Sequence, residues 1–152
     1  MKHVLVTTDF SELADQAIPP AADLAKRLGA KLTIAHVLTA ERPPEPDPGA
    51  PHYKVAKRLW EADQELEAEV KASLQERAAE CQGTVEVAVC RGGAIESILE
   101  LVAAKGIDMI VMSSMGRSGL SRILLGSVTE ELARRSPVPV LIWKNAPAAP
   151  GA

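Results

Sequence analysis

Short apolar runs alternate with longer amphipathic segments along the chain. The apolar runs are rich in Val, Ile and Leu and are apolar on both faces, which is typical of strands buried in a parallel sheet. The predicted strands span residues 3–8, 31–37, 84–90, 107–112 and 137–143. The predicted helices span residues 11–29, 53–81, 94–105 and 126 to about 135. This alternating order predicts an α/β fold, with a parallel sheet and helices on both faces.

Prolines interrupt or delimit several of these elements. Pro19 and Pro20 fall inside the first helical pattern, and two missing donors predict a kink or a break there. Pro137 and Pro139 place the last strand at an edge of the sheet, because proline cannot donate to a ladder. The proline-rich segment 43–51 predicts an exposed loop within one domain, since neither flank is long enough to fold alone.

The longest predicted helix, 53–81, carries one apolar stripe at steps of three or four residues. The members of the stripe are Val55, Leu59, Ala62, Leu66, Val70, Leu74, Ala78 and Cys81. We expect the polar, Glu-rich remainder of this helix to be a solvated face.

Composition narrows the class of protein. The 152 residues suffice for one domain with a core, and the aromatic content of 3% requires that Ala, Val, Leu and Ile build it. A net charge of -3 argues against a nucleic-acid partner, and no apolar run approaches the roughly 20 residues that span a bilayer. Cys81 and Cys90 lack metal-site or disulfide spacing, and no signal peptide precedes the first strand. We therefore expect a cytoplasmic protein.

Candidate chemistry lies where the first and fourth strands end. Ligands of parallel α/β sheets bind beyond the carboxyl ends of the strands, at the point where the winding reverses. Thr7, Thr8 and Asp9 follow the first strand, and Ser113 and Ser114 follow the fourth.

The segment from Gly116 to Ser127 has the composition of a phosphate-binding loop. Glycines 116 and 119 let backbone N–H groups approach an anion closely, and Gly126-Ser127 begins a helix whose free N–H groups favour phosphate. Arg117 and Arg122 supply positive charge. The same residues also fit a glycine-rich turn with solvated arginines, and the Walker pattern G-x-x-x-x-G-K-[ST] is absent.

This segment resembles the nucleotide loop of the universal stress protein family, whose ATP-binding branch carries G-x2-G-x9-G-[ST]. Gly116 stands for the second glycine and Gly126-Ser127 for the end of the pattern, whereas Ser113 replaces the first glycine. Met115 stands where the family often has His. Further segments resemble the family's first strand and turn, second strand end and last strand: Val6-Thr7-Thr8-Asp9-Phe10-Ser11, Ala35-His36-Val37 and Pro137-Val138-Pro139-Val140. Gly92-Gly93-Ala94 stands where the family often has G-x-P.

The resemblance implies a single Rossmann-like domain, similar to the adenine nucleotide alpha hydrolases, over residues 1–145. Its sheet has five parallel strands in the order 3-2-1-4-5, and residues 146–152 form a disordered tail. The family relation further implies an ATP-binding regulatory protein of the stress response, with Mg²⁺ accompanying the nucleotide and little or no hydrolysis. It also implies a homodimer through the last strand, Val138–Trp143.

The resemblance carries a set of nucleotide-binding residues onto this chain. They are Thr7, Thr8, Asp9, Val37, Met112, Ser113, Gly116, Arg117, Gly119, Arg122, Gly126, Ser127 and Val128. By the family pattern, Asp9 and Thr7 line the adenosine side and Val37 lies beside the base. Met112 and Gly116 follow the ribose and phosphates, and Gly126 and Ser127 cradle the phosphate chain.

Other functions find less support in the residues. A phosphoacceptor role for Asp9 needs a cluster of acidic residues and a lysine at other strand ends, and the nearby candidate, Asp108, lies at the wrong end of its strand. A helix-proximal cap without a ligand is the stronger alternative. His3, His36 and His52 are too scattered for a metal site, and the G-x-S-x-G elbow of a serine hydrolase is absent. Two functional alternatives stay open: a dimeric signalling module of the same family without nucleotide, and a nucleotide-dependent hydrolase or transferase.

Overall fold

The computed structural model describes residues 1–114 and 126–144. The strands are His3–Thr7 (β1), Lys31–Leu38 (β2), Val85–Arg91 (β3), Met109–Ser113 (β4) and Val140–Trp143 (β5). The helices are Glu12–Asp15 (α1), Ile18–Leu28 (α2), Tyr53–Ala79 (α3), Ala94–Lys105 (α4) and Ser127–Arg135 (α5). All strand pairs are parallel, in the order β3-β2-β1-β4-β5, so the expected sheet and strand order are confirmed.

The central strand β1 contributes side chains to the hydrophobic core on both faces of the sheet. Val4 and Val6 point to the face covered by α2 and the second half of α3, and Leu5 points to the face covered by α4 and α5. All three side chains are fully buried. A strand that is apolar on both faces therefore fits only the middle of a two-sided sheet, as its sequence predicts.

The predicted break at the two prolines is confirmed. Pro19 and Pro20 lie in the first turn of α2, where a helix has no partner for their missing N–H groups, and α1 ends just before. Ser11 caps α1 by accepting a hydrogen bond from Ala14 N, as expected. Gly29 ends α2 in the left-handed conformation that glycine adopts without strain.

The last strand is shorter than predicted. It begins at Val140 rather than at Pro137, because neither proline can donate to β4, although the Pro139 carbonyl accepts from Ile110 N at 2.9 Å. The edge position of β5 is as expected.

The interpretation of the stripe on α3 is wrong for its first half. Val70 and Leu74 are buried against the sheet, but Val55, Leu59, Ala62 and Leu66 are exposed. In that half the helix turns a different face inward, with Trp60 partly buried. Buried Asp63 forms a two-pronged ion pair there with Arg91, at 2.8 and 3.0 Å. Over residues 1–114 and 126–144, no helix has the length and apolar character needed to cross a membrane.

Candidate functional site

A cavity of about 360 Å³ opens at the carboxyl ends of β1, β2 and β4. The neighbours β2 and β4 flank β1 on opposite sides, so the cavity lies where the winding of the chain reverses. Its walls are Thr7, Thr8, Asp9, Ala14, His36, Val37, Thr39, Ala94, Ile98, Met112, Ser113, Gly126, Ser127, Val128 and Thr129.

Every described residue of the predicted set lines this one cavity. These are Thr7, Thr8, Asp9, Val37, Met112, Ser113, Gly126, Ser127 and Val128. They come from the ends of three strands and the start of α5, so only the tertiary fold brings them together. The remaining predicted residues, Gly116, Arg117, Gly119 and Arg122, lie outside the described residues, as does the predicted tail.

The turn after β1 is held by its own polar side chains. Asp9 Oδ1 accepts a hydrogen bond from Ser11 N at 2.9 Å, and Thr8 Oγ1 accepts one from Phe10 N at 3.0 Å. Phe10 has a φ of 66°, a left-handed conformation that costs a non-glycine residue about 1–2 kcal/mol. Asp9 is therefore both a turn residue and part of the cavity wall.

Thr8 connects the cavity wall to the helical layer. Its buried hydroxyl donates to Asp15 Oδ1 at 2.5 Å, and the other oxygen of Asp15 accepts from Arg77 of α3 at 2.7 and 2.9 Å. The hydrogen bond with Asp15 and the charge of that carboxylate raise the pKa of Arg77, although partial burial opposes them. Since this hydroxyl already serves two partners, Thr8 shapes the wall mainly by holding the turn.

His36 is a wall residue that the sequence analysis did not assign to the site. Its Nδ1 lies 2.8 Å from the Thr8 carbonyl, which can only accept, so this nitrogen carries a proton and donates. Its ring packs on Phe10, and the Arg77 guanidinium lies 4.7 Å from the centroid of the Phe10 ring. The signal available in the sequence was its position at the end of β2, beside the end of β1.

Ser113 occupies the place of the first glycine of the family pattern without backbone strain. Within residues 1–114 and 126–144, Phe10 is the one non-glycine residue that has a positive φ. Ser113 therefore does not adopt the conformation that favours glycine. The Ser113 side chain is buried, and its carbonyl accepts from Thr129 Oγ1 at 3.3 Å. The backbone at position 113 of this chain therefore does not need glycine for its conformation.

Gly126 leaves open space at the start of α5. It is the N-cap, with φ −57° and ψ 148°, a conformation open to other residues. A Cβ placed here would meet Thr129 Oγ1 at 3.9 Å, which is ordinary contact. No side chain of the described residues caps this helix. Residues 126–129 line the cavity, so the first turn of the helix and its N–H groups lie at the cavity wall, where an anion is favoured.

The charges around the described wall are few. Among residues 1–114 and 126–144, Asp9 is the one acidic residue that lines the cavity, and no lysine or arginine lines it. The same described ranges contain no cluster of three or more His, Cys, Asp or Glu suited to a metal ion. The described wall by itself therefore offers one carboxylate, that of Asp9, to a cation.

Comparisons with known proteins agree with this geometry. The model of the universal stress protein family matches residues 1–144. Universal stress protein MJ0531 of Methanocaldococcus jannaschii is 30% identical, over 95% of this chain and 82% of its own length. The stress response protein NhaX of Bacillus subtilis is also 30% identical, over 93% of this chain and 97% of its own.

Two solved structures extend the likeness to three dimensions. The structure of hypothetical protein MJ0577 matches with a TM-score of 0.77 at 27% identity, covering 97% of this chain and 98% of that one. A universal stress protein in complex with cAMP matches with a TM-score of 0.62 at 27% identity, covering 95% and 98%. With the family pattern, the sheet order and these relatives in agreement, the chain belongs to the universal stress protein family.

Proposed function

We propose that this protein binds ATP in the cavity at the ends of β1, β2 and β4, and acts as a nucleotide-responsive regulatory protein of the stress response. The observation that carries the proposal is the convergence of every described residue of the predicted set on one cavity wall. A volume of about 360 Å³ falls within the range of about 300–1,000 Å³ typical of small-molecule sites.

The wall divides into parts that suit the parts of a nucleotide. Val37 and Met112 offer apolar surface to a base and ribose, and Asp9 offers a carboxylate to their polar edges. Gly126 and Ser127 present the start of α5 to phosphate oxygens. In this proposal Arg117 and Arg122 supply the positive charge that the described wall lacks.

Magnesium would enter with the nucleotide. Mg²⁺ keeps several waters and binds substrate phosphates with one or two protein oxygens, which suits a site whose described residues contain no acidic cluster. The Ser127 hydroxyl is the proposed protein ligand, and the ion would neutralise the phosphate charge.

We expect little or no hydrolysis of the bound nucleotide. A catalytic base must be within hydrogen-bond reach of an attacking water. The described wall residues that could serve are Asp9 and His36. In this proposal Asp9 faces the base and ribose, and His36 belongs to the end of β2 beside Val37, so neither is placed at the phosphates near the start of α5.

Titration calorimetry with ATP and Mg²⁺ tests the proposal, with AMP and cAMP as competitors because a related protein has been solved with cAMP. Binding heat that is stronger for ATP supports the proposal, whereas no heat at high protein concentration defeats it. Gly126→Val should weaken ATP binding at least tenfold, about 1.4 kcal/mol, by filling the cavity mouth. Gly49→Val, in the exposed loop, is the matched control and should bind as the wild type does.

A nucleotide-free dimeric module is the second candidate, favoured by the serine at position 113. Extraction of the purified protein followed by mass spectrometry separates the two functions, because only the first predicts a co-purifying adenine nucleotide.

A homodimer through β5 is proposed for either function. Leu141 and Trp143 are exposed on this edge strand, beside a groove of about 330 Å³ between α2 and the sheet. An edge strand with unpaired backbone groups and exposed apolar side chains favours pairing with a second copy.

A further inference from the structure

The first half of α3 presents an apolar line to solvent. Val55, Leu59, Ala62 and Leu66 form this outer stripe, and the exposed fractions of its large members are 58%, 59% and 42%. Single exposed apolar side chains are normal on a protein surface, but a continuous row on one helix marks an interaction site.

Ion pairs fix the direction in which the outer stripe faces. On the inward side of the same helical turns, Arg91 at the end of β3 binds Asp63 and also lies 3.0 Å from Glu67. Arg42, from the loop before the helix, pairs with Glu67 as well. Asp63 is buried, so the pair with Arg91 is desolvated and breaking it is costly. The helix therefore cannot rotate to bury the outer stripe against its own sheet.

The helix also extends past the sheet on which it packs. Its 27 residues span about 40 Å at about 1.5 Å per residue. The eight residues of β2 span about 26 Å at about 3.3 Å per residue. Val70 and Leu74, its buried apolar residues, lie in the second half. In the first half the face that carries Asp63 is the packed one, and the outer stripe stays accessible.

The spacing of the outer stripe is that of a two-heptad coiled-coil seam. Its members follow one another at steps of four, three and four residues, as alternating a and d positions do. In an antiparallel pair of these helices, Leu59 opposes Ala62 of the second copy, and Val55 opposes Leu66. Both pairs are related by a two-fold axis between positions 60 and 61.

The charges of the turns that carry the outer stripe are divided by the same axis. The exposed residues Lys54, Lys57 and Arg58 precede the axis, and the exposed residues Glu61, Glu65 and Glu69 follow it. An antiparallel pair brings each basic end beside an acidic end, and Arg58 lies across from Glu65 at the g positions that flank the stripe. A parallel pair would instead bring the two basic ends together and the two acidic ends together.

We propose that the outer stripe of α3 is a self-association surface, on which a second copy of this chain docks with the same stripe in antiparallel orientation. Because the buried apolar residues of each helix, Val70 and Leu74, lie in its second half, the two sheets lie toward opposite ends of the pair. Two heptads bury less than the roughly 1,200 Å² of a stable standard interface, so the contact is weak and weakens further with salt. It is separate from the β5 edge and does not depend on nucleotide.

Charge reversal tests this pairing specifically. Arg58→Glu and Glu65→Arg should each weaken self-association about tenfold or more, because each variant sets like charges across the two-fold axis. An equimolar mixture of the two variants should recover association, since every flanking pair is then opposite in sign. Analytical ultracentrifugation at low ionic strength measures both, and Lys71→Glu, on the side of the helix away from the stripe, should match the wild type.

The mixture is decisive whatever other assembly the chain forms. A mixture that associates no more strongly than either variant alone overturns the proposal. Leu59→Glu should abolish the same association step with an unchanged far-ultraviolet circular dichroism spectrum, and unchanged association of this folded variant would also overturn it. Binding of the wild type to anionic phospholipid vesicles, lost in Leu59→Glu and without self-association, would assign the stripe to a membrane surface instead.

Discussion

The ring of Phe10 lies against the imidazole of His36, with the centroids 4.4 Å apart and the planes tilted by 32°. Phe10 carries the left-handed backbone conformation of the β1–α1 turn, and His36 holds the carbonyl of Thr8. Two neighbouring strand ends are therefore joined by a side-chain contact directly beneath the cavity. Loss of the contact between Phe10 and His36 should make the part of the cavity wall that contains Asp9 and Val37 less rigid.

Replacement of Phe10 separates the strain of this turn from its packing. Phe10→Ala should lower the free energy of unfolding by about 1–3 kcal/mol, because a partly buried ring and its stacking are lost. Phe10→Gly loses the same contacts but adopts φ 66° without strain, so it should be more stable than Phe10→Ala by about 1 kcal/mol. Urea unfolding of both variants gives the order, and an alanine variant as stable as the glycine variant would contradict it.

Thr8 should matter through its hydroxyl. Thr8→Val keeps the shape but removes the partner of both Asp15 and Phe10 N, at an expected cost of about 1–3 kcal/mol in unfolding free energy. Thr8→Ser retains the hydroxyl and should cost clearly less. Equal losses in denaturant unfolding would show that the methyl group, not the hydrogen bonds, accounts for the stability.

Ser113→Gly tests the departure from the family pattern. The unfolding free energy should fall by about 0.5–1 kcal/mol, because glycine is disfavoured in a strand. Position 113 does not have the positive φ at which glycine would be preferred. ATP affinity should rise, since removal of Cβ lets the backbone approach the nucleotide more closely. Calorimetry on both proteins measures the change, and weaker binding would instead identify the Ser113 hydroxyl as a ligand.

Stability should fall on mild acidification because of His3. Its imidazole is buried, with Nδ1 3.1 Å from the Lys105 carbonyl and Nε2 2.7 Å from Thr33 Oγ1. Burial lowers the pKa of His3 below its ordinary value of 6.5, and the charges of Lys31 and Lys105 act in the same direction. The hydrogen bond to the Lys105 carbonyl and the charge of Glu86 oppose this lowering of the pKa without overcoming it. Between that lowered pKa and 6.5 the unfolded chain binds more protons than the folded chain, so the unfolding free energy rises with pH across this window.

The His3→Asn variant provides the comparison. Urea unfolding across the window should show a shallower pH dependence for the variant, and an identical slope would exclude His3 as the source. Glu86 is the main carboxylate facing this histidine; burial works against its charge, but bonds from Lys105 and Thr33 lower its pKa below 4.5. The contribution of Glu86 is therefore lost at lower pH and does not overlap this window.

The β5 edge should respond to a single charge. Trp143→Asp should convert the proposed dimer into a monomer, because a carboxylate at the end of β5 would be desolvated against the apolar strand of the second copy. Leu28→Asp is a matched control, since Leu28 is similarly exposed, 43% against 41%, but lies at the end of α2. Light scattering after size exclusion gives the mass, and a dimer that survives Trp143→Asp would place the interface elsewhere.

The sheet could be predicted from the sequence because β1 and β4 are apolar on both faces, and only a central, two-sided position accommodates that pattern. The face of α3 could not. The apolar spacing of the helix continues through its first half, where the spaced residues are exposed. In that half the inward face is set by the ion pair between Asp63 and Arg91, which are distant in sequence. A periodicity indicates which residues share a side of a helix but not which side meets the protein.

The candidate site was predictable where it follows the family pattern and missed where it depends on packing. Thr7, Asp9, Gly126 and Ser127 follow that pattern onto the cavity wall. No spacing in the sequence indicates the contact between Phe10 and His36, because the two residues meet only after β1 and β2 have paired.

The strand order has a consequence for how the chain assembles. The sheet order β3-β2-β1-β4-β5 divides the chain in two: the strands on one side of the cavity belong to its first 91 residues, and those on the other side to the remainder. The cavity lies on the seam, so it does not exist until the later segment has docked on β1. A bound ligand would hold the two segments together, and amide hydrogen exchange in β4 and β5 would slow as it binds.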